Sequence, residues 1–272
     1  MATNKYYRYI IDHDTGYAPN PFFGYMTLAC CKPCLENTRG IRKWITNEML
    51  KAGDVWILGV GGKNLLLEDY GYEGREFKKI PDDTENRSRL VFAFRVAEIC
   101  NFEEYFREHT YEKKKFVKDD PIQRHGDNHL HNPTSIEGSN LHRYQDEKES
   151  EPIDIPCDIV VISRENDFYY FGSFAPQIPP EFQEALPRSQ ATSCKFSLGL
   201  ENLNTWLKGK YSKPGFFGFP SFNKGEDFRD DSEDSEYLQA IFKNWLDPDV
   251  KKKLLDPLSS LKLRPALNEV IQ

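Results

Sequence analysis

The stretch Leu90-Val91-Phe92-Ala93-Phe94-Arg95-Val96-Ala97-Glu98-Ile99 predicts the strongest β-strand of the chain. It is rich in β-branched and aromatic side chains, which suit a buried, pleated surface. Runs of the same kind predict strands at 6–11, 55–62 and 159–163, with a hairpin partner for the last at 167–172. Helical spacing predicts short helices at 35–50, 102–106, 200–206, 235–246 and 250–263.

These elements follow one another without a regular strand–helix–strand alternation. They favour an α+β fold, in which a compact mixed or barrel-like β-sheet is wrapped by short helices. We expect residues 1–190 to form the main domain and 191–272 a C-terminal helical segment packed on it, as one continuous globular unit.

The composition narrows the class of protein. The chain has 272 residues, 39% of them hydrophobic and 14% aromatic, and a net charge of −7. This negative net charge disfavours a protein that binds nucleic acid over its whole surface. It does not exclude local binding, because basic residues cluster at 39–51 and 113–118. No apolar segment indicates a signal peptide or membrane span, and six cysteines do not make a disulfide scaffold, so we expect a cytoplasmic protein with reduced thiols.

A polar loop, Asp12-His13-Asp14-Thr15-Gly16-Tyr17-Ala18-Pro19-Asn20-Pro21, follows the first predicted strand. Its glycine and prolines prevent regular helix, and its carboxylates and imidazole could divide acid and base work. Asp14 is the better acid–base candidate, because Asp12 can be explained as a turn cap. The aromatic residues beside it suit a pocket that stacks a planar ligand; the alternative is a packed loop that covers one end of the sheet.

Two further clusters could carry chemistry. The segment from Arg124 to His131 is rich in histidine and contains Gly126-Asp127-Asn128, but its spacing matches no zinc signature and we predict no metal. Ser163 and Tyr170 fall at the ends of strands, where aromatic faces could close a pocket or simply pack across strands. Gly59-Val60-Gly61-Gly62 does not fit a dinucleotide or phosphate-loop motif, and we predict no cofactor.

The order of the motifs resembles the second of the nucleotide-modification-associated domain families, found among phage and bacterial genes linked to modified DNA bases. The resemblance covers roughly residues 6–190. It rests on the segments Asp14 to Pro21, Thr27 to Pro33, Gly53-Asp54, Gly126-Asp127-Asn128, and Ser163 with Tyr170-Phe171-Gly172. The chain departs from the pattern by an insertion at 34–38 and by His129, where an apolar residue is expected.

The resemblance implies a DNA partner that carries a modified base. A base inside a duplex must be flipped into a pocket before a protein can act on it. The candidate catalytic residues are Asp14, Asp127 and His13. The candidate base-binding residues are Tyr17, Asn20, Thr27, Cys31, Lys32, Asn128, Ser163 and Tyr170. The candidate phosphate contacts are Arg39, Arg42, Lys43 and Lys114.

Our leading hypothesis is a glycosylase-type hydrolase that flips and excises a modified base, with antiviral defence as one setting. A carboxylate such as Asp14 or Asp127 would stabilise the oxocarbenium-like transition state. The hypothesis requires these two carboxylates to converge beneath an aromatic-walled cavity. The alternatives are a non-catalytic reader of modified bases and a base-modifying transferase that uses Cys31 as nucleophile.

Overall fold

The computed structural model describes residues 5–11, 14, 16, 18–29, 41–62, 88–117, 120, 122–123, 126–128, 158–183, 202–220 and 239–255. The strands in this part of the chain are β1 Lys5–Ile11, β2 Thr27–Leu28, β3 Val55–Gly61, β4 Leu90–Cys100, β5 Val160–Tyr170 and β6 Gly215–Phe216. Their order in the sheet is β1-β3-β4-β5-β2, and β6 lies beside β5.

The sheet is mixed. β1 runs parallel to β3 and β6 runs parallel to β5, whereas the β3–β4, β4–β5 and β5–β2 pairs are antiparallel. It curls into a half-barrel beside several short helices, which confirms the predicted α+β class.

The described helices are α1 Ile41–Trp44, α2 Asn47–Ala52, α3 Phe102–Arg107, α4 Pro180–Gln183, α5 Leu203–Lys210 and α6 Pro248–Leu254. Short 3-10 helices cover His109–Lys114 and Gly172–Phe174, and residues 239–244 are helical. The single helix predicted at 35–50 is wrong for its described part, because α1 and α2 are separate. Thr46 lies between them with an extended backbone, and its side chain accepts from the Met49 N–H as the N-cap of α2.

The predicted hairpin at 159–172 is also wrong, because β5 is one continuous strand. Phe94 pairs with Phe168 while Val96 pairs with Ser163, so β5 bulges between these two positions. Asn166 lies in this bulge with a φ of 52°, and its N–H donates to the Gly24 carbonyl at 2.7 Å. The polar residues that resemble a turn therefore form a bulge that meets the loop before β2.

The main core packs against the sheet and is continuous with the C-terminal part of the chain. Every residue of β3 is buried. The same core contains Leu203, Leu207, Ile241, Leu246 and Val250. A second, smaller core lies between α3 and the β2–β5 pair and includes Phe102, Tyr105 and Ile162. Residues on both sides of the predicted boundary at 190 thus contribute to one hydrophobic core.

Candidate functional site

Asp14 lies beyond the end of β1 and is held by two neutral donors. Its carboxylate oxygens accept from the Tyr170 hydroxyl at 3.0 and 2.9 Å, and one of them also accepts from the Gly16 N–H at 3.0 Å. Asp14 is only 3% exposed. Tyr170 is the last residue of β5 and pairs with Phe92 of β4, so the sheet fixes the hydroxyl that orients this carboxylate.

A row of aromatic rings leads away from Tyr170. The Phe216 ring lies 4.7 Å from Tyr170 and 5.6 Å from Phe22, between ring centroids. Trp245 follows at 4.6 Å from Phe22 and 5.4 Å from Phe23. Phe22 and Phe216 are buried, whereas Phe23 and Trp245 are partly exposed. The row therefore connects the buried carboxylate with the protein surface.

Asp127 forms a second polar cluster, which is almost completely buried. Its two oxygens accept from the hydroxyls of Thr27 and Tyr105, the latter at 2.9 Å. The Lys114 ammonium lies 3.7 Å from the carboxylate, with side-chain exposures of 1% for Lys114 and 0% for Asp127. Burial lowers the pKa of Lys114 from its ordinary 10.5 to about 8, against the attraction of Asp127. Burial likewise raises the pKa values of Asp127 and Tyr105.

Lys114 shapes the loop that precedes β2. Its ammonium donates to Asn20 Oδ1 at 2.8 Å and to the carbonyls of Tyr25 and Phe22 at 3.0 and 3.1 Å. It also donates to the Asn20 carbonyl at 3.2 Å, so four oxygens of residues 20–25 surround one buried charge. The Asn20 side chain, which we expected to read a base edge, is engaged by this lysine and by the Phe22 N–H.

Asn128 is buried next to Asp127 in the sequence. Its amide nitrogen donates to the carbonyls of Tyr105 at 2.9 Å and Tyr111 at 3.4 Å, which fixes the orientation of the amide. Its Oδ1 is a buried acceptor for which the structure describes no donor. Gly126 is required here, because an added Cβ would lie 2.0 Å from the Lys114 carbonyl oxygen.

The two candidate carboxylates therefore lie in clusters with different partners. Asp14 is bound by Tyr170 of β5, and Asp127 is bound by Thr27 of β2 together with Tyr105 and Lys114. Their convergence in one cavity stays a prediction.

Several predicted ligand contacts form hydrogen bonds inside the protein instead, among them those of Arg42, Lys114 and Ser163. Arg42 is fully buried and donates to the carbonyls of Ala29 and Ile159, the second at 2.9 Å. The phosphate contacts predicted for Arg42 and Lys114 are therefore wrong, because neither side chain reaches the surface. The Ser163 hydroxyl accepts from the Met26 N–H at 2.9 Å and holds the edge of the sheet. Lys43, by contrast, is exposed.

Other predicted site residues lie outside the described part of the chain. They are His13, Tyr17, Cys31, Lys32, Arg39 and the histidines at 125, 129, 131 and 142. Among the residues that the structure does describe, no group of three or more histidine, cysteine or acidic side chains is arranged to hold a metal ion. In the same residues, no helix has both the length and the apolar character needed to cross a membrane.

The roles of Tyr105 and Trp245 were not predicted from the sequence. Tyr105 sits three residues after Phe102 on α3, a spacing that predicts a core position and gives no sign of its hydroxyl contact with Asp127. Trp245 is about 220 residues from the phenylalanines that it contacts, and no local pattern joins them.

The comparisons with known proteins agree with the arrangement of these motifs. Neither the curated proteins nor the solved structures gave a match. A family model described as nucleotide modification associated domain 2 matches residues 3–226. The match covers the first polar loop, the Asp127 cluster, β5 and the Phe216 ring. Since it spans most of the sequence and contains both polar clusters, the chain belongs to the nucleotide modification associated domain 2 family.

Proposed function

We propose that this protein hydrolyses the N-glycosidic bond of a modified base in DNA. Family membership supports an action connected with modified nucleotides. The observation that carries the proposal is the carboxylate of Asp14, held by Tyr170 and Gly16 at the inner end of an aromatic row. A fixed carboxylate beside aromatic rings suits the recognition of a planar base and the stabilisation of positive charge on its sugar.

Asp14 is a better catalytic candidate than Asp127. The Tyr170 hydroxyl and the Gly16 N–H, which are both neutral donors, orient the Asp14 carboxylate. Asp127 faces the buried ammonium of Lys114 and binds two hydroxyls. We assign Asp127 to the support of the loop before β2.

In the proposed reaction, the bond between C1′ of the deoxyribose and the base nitrogen breaks, and its electron pair leaves with the base. The Asp14 carboxylate stabilises the positive charge that develops on the sugar. Water adds at C1′ and loses a proton, and the leaving base gains one, for which His13 is the candidate donor. The products are a free base and an abasic site.

The test uses duplex oligonucleotides that each carry one modified base, including 5-hydroxymethyluracil, 5-hydroxymethylcytosine and N6-methyladenine. Abasic sites are detected by strand cleavage in alkali. We expect cleavage with at least one substrate, and we expect Asp14→Asn to lower its rate by about 100-fold or more with nearly unchanged DNA affinity. Asp54→Asn, at a partly exposed carboxylate paired with Arg95, serves as the control and should keep activity.

Three outcomes would overturn the proposal or its mechanism in different ways. Tight binding of a modified oligonucleotide with no abasic product would replace hydrolysis by recognition alone. Full activity of Asp14→Asn would remove this residue from the mechanism. A product in which the base is altered but still attached to the sugar would instead indicate a transferase. If alkylation of the thiols abolished that activity, Cys31 would be the candidate nucleophile.

A further inference from the structure

Residues 239–255 lie beyond the matched family segment, yet they form part of the aromatic row. Trp245 belongs to this segment and packs against Phe22 and Phe23, which precede β2. The Phe23 and Trp245 rings meet edge to face, at 78° between their planes, and both side chains stay partly exposed. The C-terminal segment thus supplies the outer end of the row.

The backbone conformation of Phe23 favours a ligand-binding role for Phe23 and Trp245. Its φ is 62°, a value that bulky side chains rarely adopt. Such a conformation is unfavourable and persists only where the surrounding structure imposes it, which is frequent at ligand sites. Here the turn continues through Gly24 with a φ of 84°, and the Phe23 ring lies at the surface against Trp245.

Lysines are frequent in the two described segments around Trp245. Residues 202–220 and 239–255 carry seven lysines and two aspartates, whereas residues 221–238 between them carry seven acidic and two basic side chains, so the stretch 202–255 is neutral overall. The lysines are Lys208, Lys210, Lys213, Lys243, Lys251, Lys252 and Lys253. Of the two aspartates, Asp247 is buried and lies 3.8 Å from Lys213. The acidic run at 226–236 lies outside the described residues.

Three of the lysines are joined by contacts to residues that neighbour Trp245 in the sequence. Lys213 faces Asp247, two residues after the tryptophan, and Lys251 donates to the carbonyl of Lys243 at 3.0 Å. Lys213 and Lys243 are exposed. A cluster of ammonium groups beside aromatic faces is the combination that binds the backbone of single-stranded nucleic acid and stacks its bases.

We propose that Phe23, Trp245 and the lysines at 208, 210, 213, 243, 251 and 252 form a DNA-binding surface, here called the C-terminal lysine surface. The lysines bind phosphates, and an unpaired base stacks on the aromatic pair. The proposal rests on the proposed action on DNA. It assigns the phosphate contacts to surface lysines in place of the buried Arg42 and Lys114.

The first experiment measures the affinity of the full chain for a fluorescein-labelled, unmodified 20-nucleotide thymidine oligomer at several salt concentrations. We expect Lys243→Gln with Lys252→Gln to weaken binding and to reduce the slope of log K against log salt by about 1.4, or about 0.7 per lost phosphate contact. The control is Arg107→Gln with Arg164→Gln, two exposed cations outside the basic segments 39–51 and 113–118, which should leave the slope unchanged.

The second experiment follows tryptophan fluorescence during the same titration. Stacking on Trp245 should quench the emission, and Trp245→Phe should lose this quenching. Trp44→Phe, at an indole that is 47% exposed on α1, should retain it. Thermal unfolding by circular dichroism checks that every variant is folded.

The outcomes separate this proposal from the hydrolase proposal. An unchanged salt slope in the lysine variant, or an equal loss in its control, overturns the C-terminal lysine surface even where abasic sites are still formed. A reduced slope and lost quenching without any abasic product support the surface while the hydrolase proposal fails. A chain that binds no DNA overturns both.

Discussion

Tyr169 and Tyr170 are neighbours at the end of β5, but their hydroxyls differ in hydrogen bonding. Tyr170 donates to both oxygens of the Asp14 carboxylate. The Tyr169 hydroxyl is buried, and the structure describes no partner for it. Removing a hydrogen-bond donor from a buried carboxylate destabilises the folded protein. Removing a hydroxyl that has no partner does not.

Tyr170→Phe should therefore lower the free energy of unfolding by about 1–3 kcal/mol, measured by urea denaturation. Tyr169→Phe is the matched control on the adjacent residue and should be neutral or slightly stabilising. Equal effects of the two variants would show that the bond to Asp14 contributes no more to stability than a hydroxyl without a described partner.

The ion pair of Lys114 and Asp127 is buried, so each charge depends on the other. Lys114→Met should cost about 3–5 kcal/mol, because it leaves the Asp127 carboxylate buried without its counter-ion. Adding Asp127→Asn should recover part of this loss, since the remaining groups are neutral. The measurement is a double-mutant cycle in urea. Additive losses in the cycle would mean that the two charges do not interact.

The lowered pKa of Lys114 also predicts a pH dependence. Its pKa is about 8 in the folded protein, and its ordinary value is 10.5. Between these values the folded protein has released the proton that the unfolded chain still holds, so the stability contributed by Lys114 rises with pH. The free energy of unfolding of the wild type should increase relative to Lys114→Met from pH 8 to 10. A constant difference over this range would mean that Lys114 keeps its ordinary pKa.

At the scale of elements, α1 shows why a basic residue can be misassigned from sequence. Ile41 and Ile45 mark an apolar face, and both are buried. Arg42 is next to Ile41 and turns inwards to the carbonyls of Ala29 and Ile159, while Lys43 remains exposed. The sequence pattern located the apolar face but could not distinguish these two cations, because the acceptors of Arg42 are main-chain atoms remote in the sequence.

Arg42 thus joins α1 to the ends of β2 and β5. Arg42→Met should lower the free energy of unfolding by about 2–4 kcal/mol, because two buried carbonyls lose charged donors. Lys43→Met, on the same helix, should change it by less than about 0.5 kcal/mol. Chemical denaturation of both variants provides the measurement. A small effect of Arg42→Met would mean that other donors replace the guanidinium.

At the scale of the whole molecule, the long strands were predictable and the polar clusters were not. The apolar runs of β1, β3 and β4 specify buried strands through local composition alone. Asp14 and Tyr170 were each identified as candidates, but their contact joins residues 156 positions apart. The bulge in β5 was equally hidden, because Asn166 within it donates to Gly24 in a loop remote in the sequence.

The C-terminal residues enter the same core as the sheet, which predicts that the molecule unfolds as one unit. Leu246 is 2% exposed and belongs to the main core. Leu246→Ala should lower the free energy of unfolding by about 2–5 kcal/mol, and Lys243→Ala, at an exposed neighbour, should have little effect. Circular dichroism and tryptophan fluorescence should report the same shifted urea midpoint, because a cooperative core loses all its parts together. A fluorescence transition that moves to lower urea while the dichroism midpoint stays in place would show instead that residues 239–255 detach before the sheet unfolds.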